Sequence, residues 1–361
     1  MQETQLKKSD FQTEDRSELR DRVRSMRLWE YFEWFIKNEK IGKVAPVTLQ
    51  KYNLTLNWIK RLAPELLVSD MESSRRNMQE LVDRYGETHR KVTTFDFKNH
   101  VTSALNFAVE DGYIKSIARR GIEIRSVEKT WSTEKRANVK NQVKTFNMIE
   151  FNQFKYYLIF KLKEMLDKKP IYKPGALPAR VSEQHYLMLY SIAIRTGARL
   201  SEILGFNRED ITNDGIKINK TWNYKEIGDA GYLPTKNGSS IRTVVIDDAL
   251  RDLLNKYWEF KERNSLHKDG TPFLLENGIC PLNATVNDKL RRIEKDLNLP
   301  NISFHKLRHT YVSVLIDNGI SEAVIAKQVG HSSTAMIQKV YGHLLKERED
   351  RETAEIKGLM G

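Results

Sequence analysis

Four short patterns in the second half of the chain set charged and nucleophilic side chains at spacings that could do chemistry. In Thr196-Gly197-Ala198-Arg199-Leu200-Ser201-Glu202-Ile203, Gly197 can end one helix and Arg199 can open the next. Glu202, three positions on, can hold the Arg199 guanidinium in place. In Pro234-Thr235-Lys236-Asn237-Gly238, Lys236 sits at the tip of an expected hairpin turn. In His305-Lys306-Leu307-Arg308-His309, His305 and Arg308 share one helical face. Val329-Gly330-His331-Ser332-Ser333 reads as a helix end and a new start, and Tyr341-Gly342-His343 follows. Taken singly, these are a surface ion pair, a turn lysine, helix histidines and a core tyrosine. Taken together in this order, they supply two arginines, a lysine, two histidines and a tyrosine.

That set points to phosphoryl chemistry. Two arginines can neutralise the charge that develops on a phosphodiester without a metal. A tyrosine, with an ordinary pKa of about 10, can attack phosphorus once a base takes its proton. A lysine ammonium can protonate the leaving oxygen. His305 and His309 also have the spacing of a helical metal pair, but Lys306 stands where a zinc protease needs glutamate. No acidic cluster suited to magnesium is evident, so a two-metal nuclease is disfavoured. The expectation is a reaction with no cofactor and no metal.

These residues need a scaffold to hold them. Residues 26–118 show helical periodicity without a strong strand signal, as in Leu28, Tyr31, Phe32 and Phe35. Residues 126–146 are polar and carry five basic against two acidic side chains, which reads as a basic linker. From 147 onward helical runs around 148–166 and 183–196 precede a β-rich stretch over 211–246, and the remainder reads helical. The expected fold is mainly α with a small β-sheet. An α+β second domain over 147–343 would follow an all-α first domain over 26–125. Residues 1–25 read as a lead-in and 344–361 as a charged tail.

Composition narrows the classes further. The chain has 361 residues, 40% of them hydrophobic and 30% charged, which is enough apolar material for packed cores. The longest apolar run, Tyr186 to Ile194, is far short of the roughly 20 residues of a membrane span. The single cysteine, Cys280, precludes an internal disulfide and a cysteine-based zinc site. The N-terminus has no apolar core of a secretory signal, so a cytoplasmic location is expected. A net charge of +12, spread over both halves, suits a polyanionic partner that touches two lobes.

At this point the chain resembles the tyrosine recombinases, the integrases of phages and conjugative elements. The resemblance spans 26–361 and is most specific across TGARLSEILGF, PTKNGSS, HKLRHTYVSVL and VGHSSTAMIQKVYGH. It implies that Tyr341 is the nucleophile and forms a 3′-phosphotyrosyl link to DNA. It implies that Arg199 and Arg308 hold the scissile phosphate and that Lys236 protonates the 5′-hydroxyl. His305 would accept the proton, His331 would bond the phosphate and Glu202 would support Arg199. Tyr311 is the rival nucleophile, and His309 and His343 stay outside the set. The resemblance also implies a helical, SAM-like core-binding domain that closes a C-shaped clamp on duplex DNA with the catalytic domain. No complete arm-binding domain is evident ahead of it. The implied partners are double-stranded attachment sites, three further copies in a homotetramer, and a DNA-bending host factor or an excisionase. No membrane is expected, and the place of action is a bacterial cytoplasm at the nucleoid. The tail could pass between protomers. Rival readings are a relaxing enzyme of the type IB topoisomerase kind and a catalytically silent DNA-binding regulator.

Overall fold

A computed structural model describes residues 16–117, 121–132, 145–172, 181–224, 231–235 and 238–360. The chain divides into two units, Met1–Lys140 and Asn141–Gly361. The first unit is helical: α1 (Arg16–Ser25), α2 (Leu28–Phe35), α3 (Pro46–Leu62), α4 (Val68–Ser73), α5 (Arg75–Gly86) and α6 (Lys91–Glu110). Helical spacing puts Leu28, Tyr31, Phe32 and Phe35 on the inner side of α2. A π-turn at Ile36–Lys40 and left-handed Gly42 then end that run, and Pro46 opens α3 at a position where no amide hydrogen is needed. Tyr85 and Phe97 stack with centroids 4.0 Å apart where α5 meets α6.

Three expected boundaries move. Residues 16–25 are no lead-in, because α1 buries Leu19 and Val23 in the core of the first unit. The linker expected from 126 begins later. Glu128 accepts from the Lys91 backbone at 2.7 Å, and Arg90 lies over the Trp131 ring. Both contacts hold 126–131 against α6. At the other end, Phe146 is buried and its amide donates to Thr310 Oγ1 at 3.1 Å, so it belongs to the second unit.

The second unit opens with α7 (Met148–Leu166), whose Asn147 and Glu150 cap each other's backbone amides. Helix α8 (Glu183–Thr196) is buried on every side from Gln184 onward and packs on α7. Its all-round burial explains the long apolar run in the sequence. The one-turn α9 (Leu200–Ile203) leads into β1 (Ile211–Thr212), β2 (Gly215–Ile218), β3 (Lys220–Trp222), β4 (Tyr232–Pro234) and β5 (Arg242–Val244). Next come α10 (Asp248–Arg263), α11 (Asn283–Asp296), α12 (Phe304–Asp317), α13 (Glu322–Val329) and α14 (Ala335–Met360).

The hairpin expected around Asn237-Gly238 is not what forms. Strand β4 pairs antiparallel with β3, whereas β5 pairs with β2 in a separate antiparallel sheet, β1-β2-β5. The chain between Pro234 and Arg242 therefore crosses from one small sheet to the other. Asn-Gly specifies a tight turn locally but cannot choose which strands pair. The tail expected to start at 344 has no boundary there either, since α14 runs unbroken through it. Among the described residues no helix is long and apolar enough to cross a membrane.

Candidate active site

The site begins where α8 stops. Gly197 adopts φ 62°, which ends the helix with its amide bonded to Ala193 at 3.0 Å. A Cβ built there would lie 2.5 Å from the Tyr311 ring. Gly197→Ala is therefore expected to lose about 2–4 kcal/mol from backbone strain and overpacking, read as a lower midpoint of chemical denaturation.

Past this turn Arg199 is extended and precedes α9. Its amide donates to Glu202 Oε2 at 2.9 Å and its Nη1 to Oε1 at 2.7 Å. Glu202 is 2% exposed and is held from the other side by Arg242 of β5, whose Nη2 donates to Oε2 at 2.9 Å. Burial works to raise the Glu202 carboxyl, but the bond and charge of Arg242 and the charge of Arg199 bring it below its ordinary range. Arg242 also donates through Nε to Gln328 O at 2.7 Å and through Nη1 to Ser240 O at 2.9 Å. Left-handed Gly330 gives it room, because a Cβ there would sit 2.8 Å from Arg242 Nη1. Arg242 was missed in the sequence. The available signal was its place on the inward-facing positions of β5, where Arg242 and Val244 are buried and Thr243 is exposed.

Helix α12 brings the second arginine. Arg308 is buried, and its guanidinium donates to Gly197 O at 2.8 Å and to Val329 O at 2.6 Å. It thus ties the turn before Arg199 to the turn before His331. Burial and the charge of Arg199 push Arg308 down to about 9. His331, whose amide closes the end of α13 on Ala326, is pushed down to about 4 by burial and then by Arg308, Arg199 and Arg242. Its Nδ1 is buried without a hydrogen-bond partner among the described residues. His305 sits at the exposed edge of α12 and is lowered by lost solvent and by Arg308 and Arg199.

Tyr341 reaches this cluster from α14. It is 3% exposed, and its hydroxyl lies 2.5 Å from His309 Nδ1. Burial raises its phenol well above the ordinary value, against the opposing charge of Arg308. The ring packs beside Ile337, Val312, Ile316, Ile325 and Val329. Tyr311 points elsewhere: its ring seals the Gly197 turn, and burial pushes its phenol up to about 12.

The structure thus gathers Arg199, Glu202, His305, Arg308, His331 and Tyr341, and adds Arg242 and His309. Lys236 and the His343 side chain lie outside the described residues. Among the described residues no three His, Cys, Asp or Glu side chains are grouped to hold a metal. Three arginines near one carboxylate leave a cationic site, in which the charges of Arg199 and Arg242 help lower Arg308 and the arginine charges help lower His305 and His331. A phosphate would relieve that repulsion and find the forked donors that it bonds best.

The phage integrase family matches residues 176–348, which carry all of these residues. The integrase of Staphylococcus phage L54a is 24% identical over 338 residues, covering 89% of each chain. A XerC-like tyrosine recombinase of Caldanaerobacter subterraneus subsp. tengcongensis is 25% identical, covering 76% of this chain and 68% of that protein. The fold is similar to that of the Tn1549 transposon integrase solved with transposon right end DNA, with a TM-score of 0.68 at 17% identity over 93% of this chain and all of that one. The two arginine turns, the histidine pair and the buried tyrosine are assembled on one matched domain, so residues 176–348 form a phage integrase family domain in a chain similar to the tyrosine recombinases of the integrase type.

Proposed function

We propose that the protein integrates and excises a mobile element by cutting and rejoining DNA at two attachment sites. The observation that carries this reading is the cationic cluster of Arg199, Arg242 and Arg308 around Glu202, with Tyr341 buried beside it. Arg199 and Arg308 would hold the nonbridging oxygens of the scissile phosphate, and His331 would add a hydrogen bond. Tyr341 Oη would attack phosphorus and release a 5′-hydroxyl that Lys236 protonates. His305 would assist proton transfer from the edge of α12. The covalent 3′-phosphotyrosyl link keeps the phosphodiester energy, so rejoining needs no ATP. Strand exchange would pass through a Holliday junction held by four copies. In that assembly the helical unit that starts with α1 would bind the core site and the unit that opens at Phe146 would cleave, with the end of α14 able to pass between protomers. A DNA-bending host factor or an excisionase would set direction, in a bacterial cytoplasm at the nucleoid.

Nicked duplexes tiled from the DNA that flanks the gene test this, because a mobile element can keep its attachment site there. The wild-type protein is expected to form a gel-stable covalent adduct on a few of them, unaffected by EDTA, with DNA on a 3′ phosphate. Site-independent relaxation of supercoils would favour the topoisomerase reading instead. Tight binding without an adduct on any duplex, with added host extract, would favour the silent regulator.

A further inference from the structure

We propose that His309 is a further catalytic residue, the group that takes the Tyr341 proton during cleavage and returns it during rejoining. This rests on Tyr341 being the nucleophile. The geometry is direct, since His309 Nδ1 is 2.5 Å from Tyr341 Oη. His305 has no such bond to Tyr341 among the described contacts; its ring lies edge-on against His309, with centroids 5.3 Å apart. Position along α12 explains the division of labour. His305 and Arg308 project toward the Arg199 turn, while His309, one residue further, faces α14, where Tyr341 sits.

The chemistry balances at both ends. In cleavage the Tyr341 Oη–H bond breaks, its proton goes to His309 Nδ1, the Oη–P bond forms and the P–O5′ bond breaks. The departing oxygen takes a proton from the general acid on the opposite side. In rejoining, the 5′-hydroxyl attacks phosphorus, the P–Oη bond breaks and the proton on Nδ1 returns to Oη. A neutral imidazole is needed to accept, and one is present. Burial and the charges of Lys306, His305, Arg308 and His331 bring His309 down to about 4. Acceptance at Nδ1 requires the tautomer whose ring hydrogen is on Nε2, which sets the Nδ1 lone pair toward the hydroxyl. The same cationic surroundings disfavour an imidazolium in the free protein. A bound phosphate adds negative charge beside Arg308, which makes His309 more basic once substrate is in place. Proton transfer is thereby coupled to DNA binding, which keeps the tyrosine inert in free protein.

The test compares single-turnover adduct formation by the wild type, His309→Ala and His309→Asn on the nicked duplex that the wild type cleaves. His309→Ala is expected to slow cleavage by about 10²–10³-fold with DNA affinity unchanged, the range for losing a general base. His309→Asn keeps an oxygen near the position of Nδ1, so it orients the hydroxyl without taking its proton; it is expected to stay at least roughly 10-fold slow. A fluorinated tyrosine at position 341 has a more acidic phenol and is expected to shrink the His309→Ala defect, which lost packing alone would not do. Full activity in His309→Asn would reduce His309 to a positioning residue and overturn the proposal. A His309→Ala protein as fast as the wild type, or faster, would also overturn it while leaving the recombinase reading intact. A wild type that forms no adduct on any duplex would overturn both.

Discussion

Tyr341→Phe is expected to abolish the covalent protein–DNA adduct and to lower cleavage by about 10⁴-fold or more, the scale of losing a nucleophile. The change removes one oxygen and nothing else. The ring still fills its place beside Ile337, Val312 and Ile316, so the core keeps its apolar contacts. The lost bond to His309 costs about 1 kcal/mol, too little to unfold the domain. DNA affinity should persist, because the arginines that bind phosphate are untouched. Tyr311→Phe is the control. Its ring would go on sealing the Gly197 turn, and cleavage is expected to stay within a few fold of the wild type. The measurement is a denaturing gel of adduct against time on a nicked duplex. An adduct that survives Tyr341→Phe and vanishes in Tyr311→Phe would reverse the assignment.

Breaking the Glu202–Arg242 pair is expected to cost about 3–5 kcal/mol of stability, because both side chains are 2% exposed and either one alone is left buried without its partner. Glu202→Gln removes the charge that offsets two arginines. Arg242→Met removes the bonds to Ser240 O and Gln328 O and leaves the buried carboxylate to Arg199 alone. Each single change should lower the denaturation midpoint, and Glu202→Gln should also slow cleavage because Arg199 loses its anchor. The double variant Glu202→Met/Arg242→Met is expected to be less unstable than the sum of the two single changes, since apolar groups of similar size need no partner. The pair also carries a pH dependence. The Glu202 carboxyl is lowered in the folded protein, so its stabilisation is complete above its unfolded value near 4.3 and is lost as pH falls through the lower folded value. Acid unfolding of Glu202→Gln should lack that contribution. Strict additivity in the double variant would show that the two residues do not act as a pair.

Much of the candidate site was legible in the sequence because its motifs are written in short range. Arg199 and Glu202 are three positions apart, and His305 and Arg308 share a helical face by the same rule. Glycines at 197 and 330 mark the two left-handed helix ends, since a side chain there would strain the backbone and collide with Tyr311 or Arg242. Helical periodicity likewise located α2, α7 and α8. Long-range pairing was not legible. Whether β4 pairs with β5 or with β3 depends on which inner faces find a core, and the Asn-Gly signal is silent on that.

Only the tertiary structure decided which side chains meet. Arg308 bonds Gly197 across 111 positions, and Arg242 reaches Gln328 across 86. Arg242 looks like an ordinary strand residue until β5 is set against α13, and His309 looks like a spare helix histidine until α14 delivers Tyr341 to it. The physical reason is that residue type and local spacing fix what a side chain can do. The electrostatic setting that makes it do so comes from burial and from charges on distant segments, and these exist only once the helices have packed.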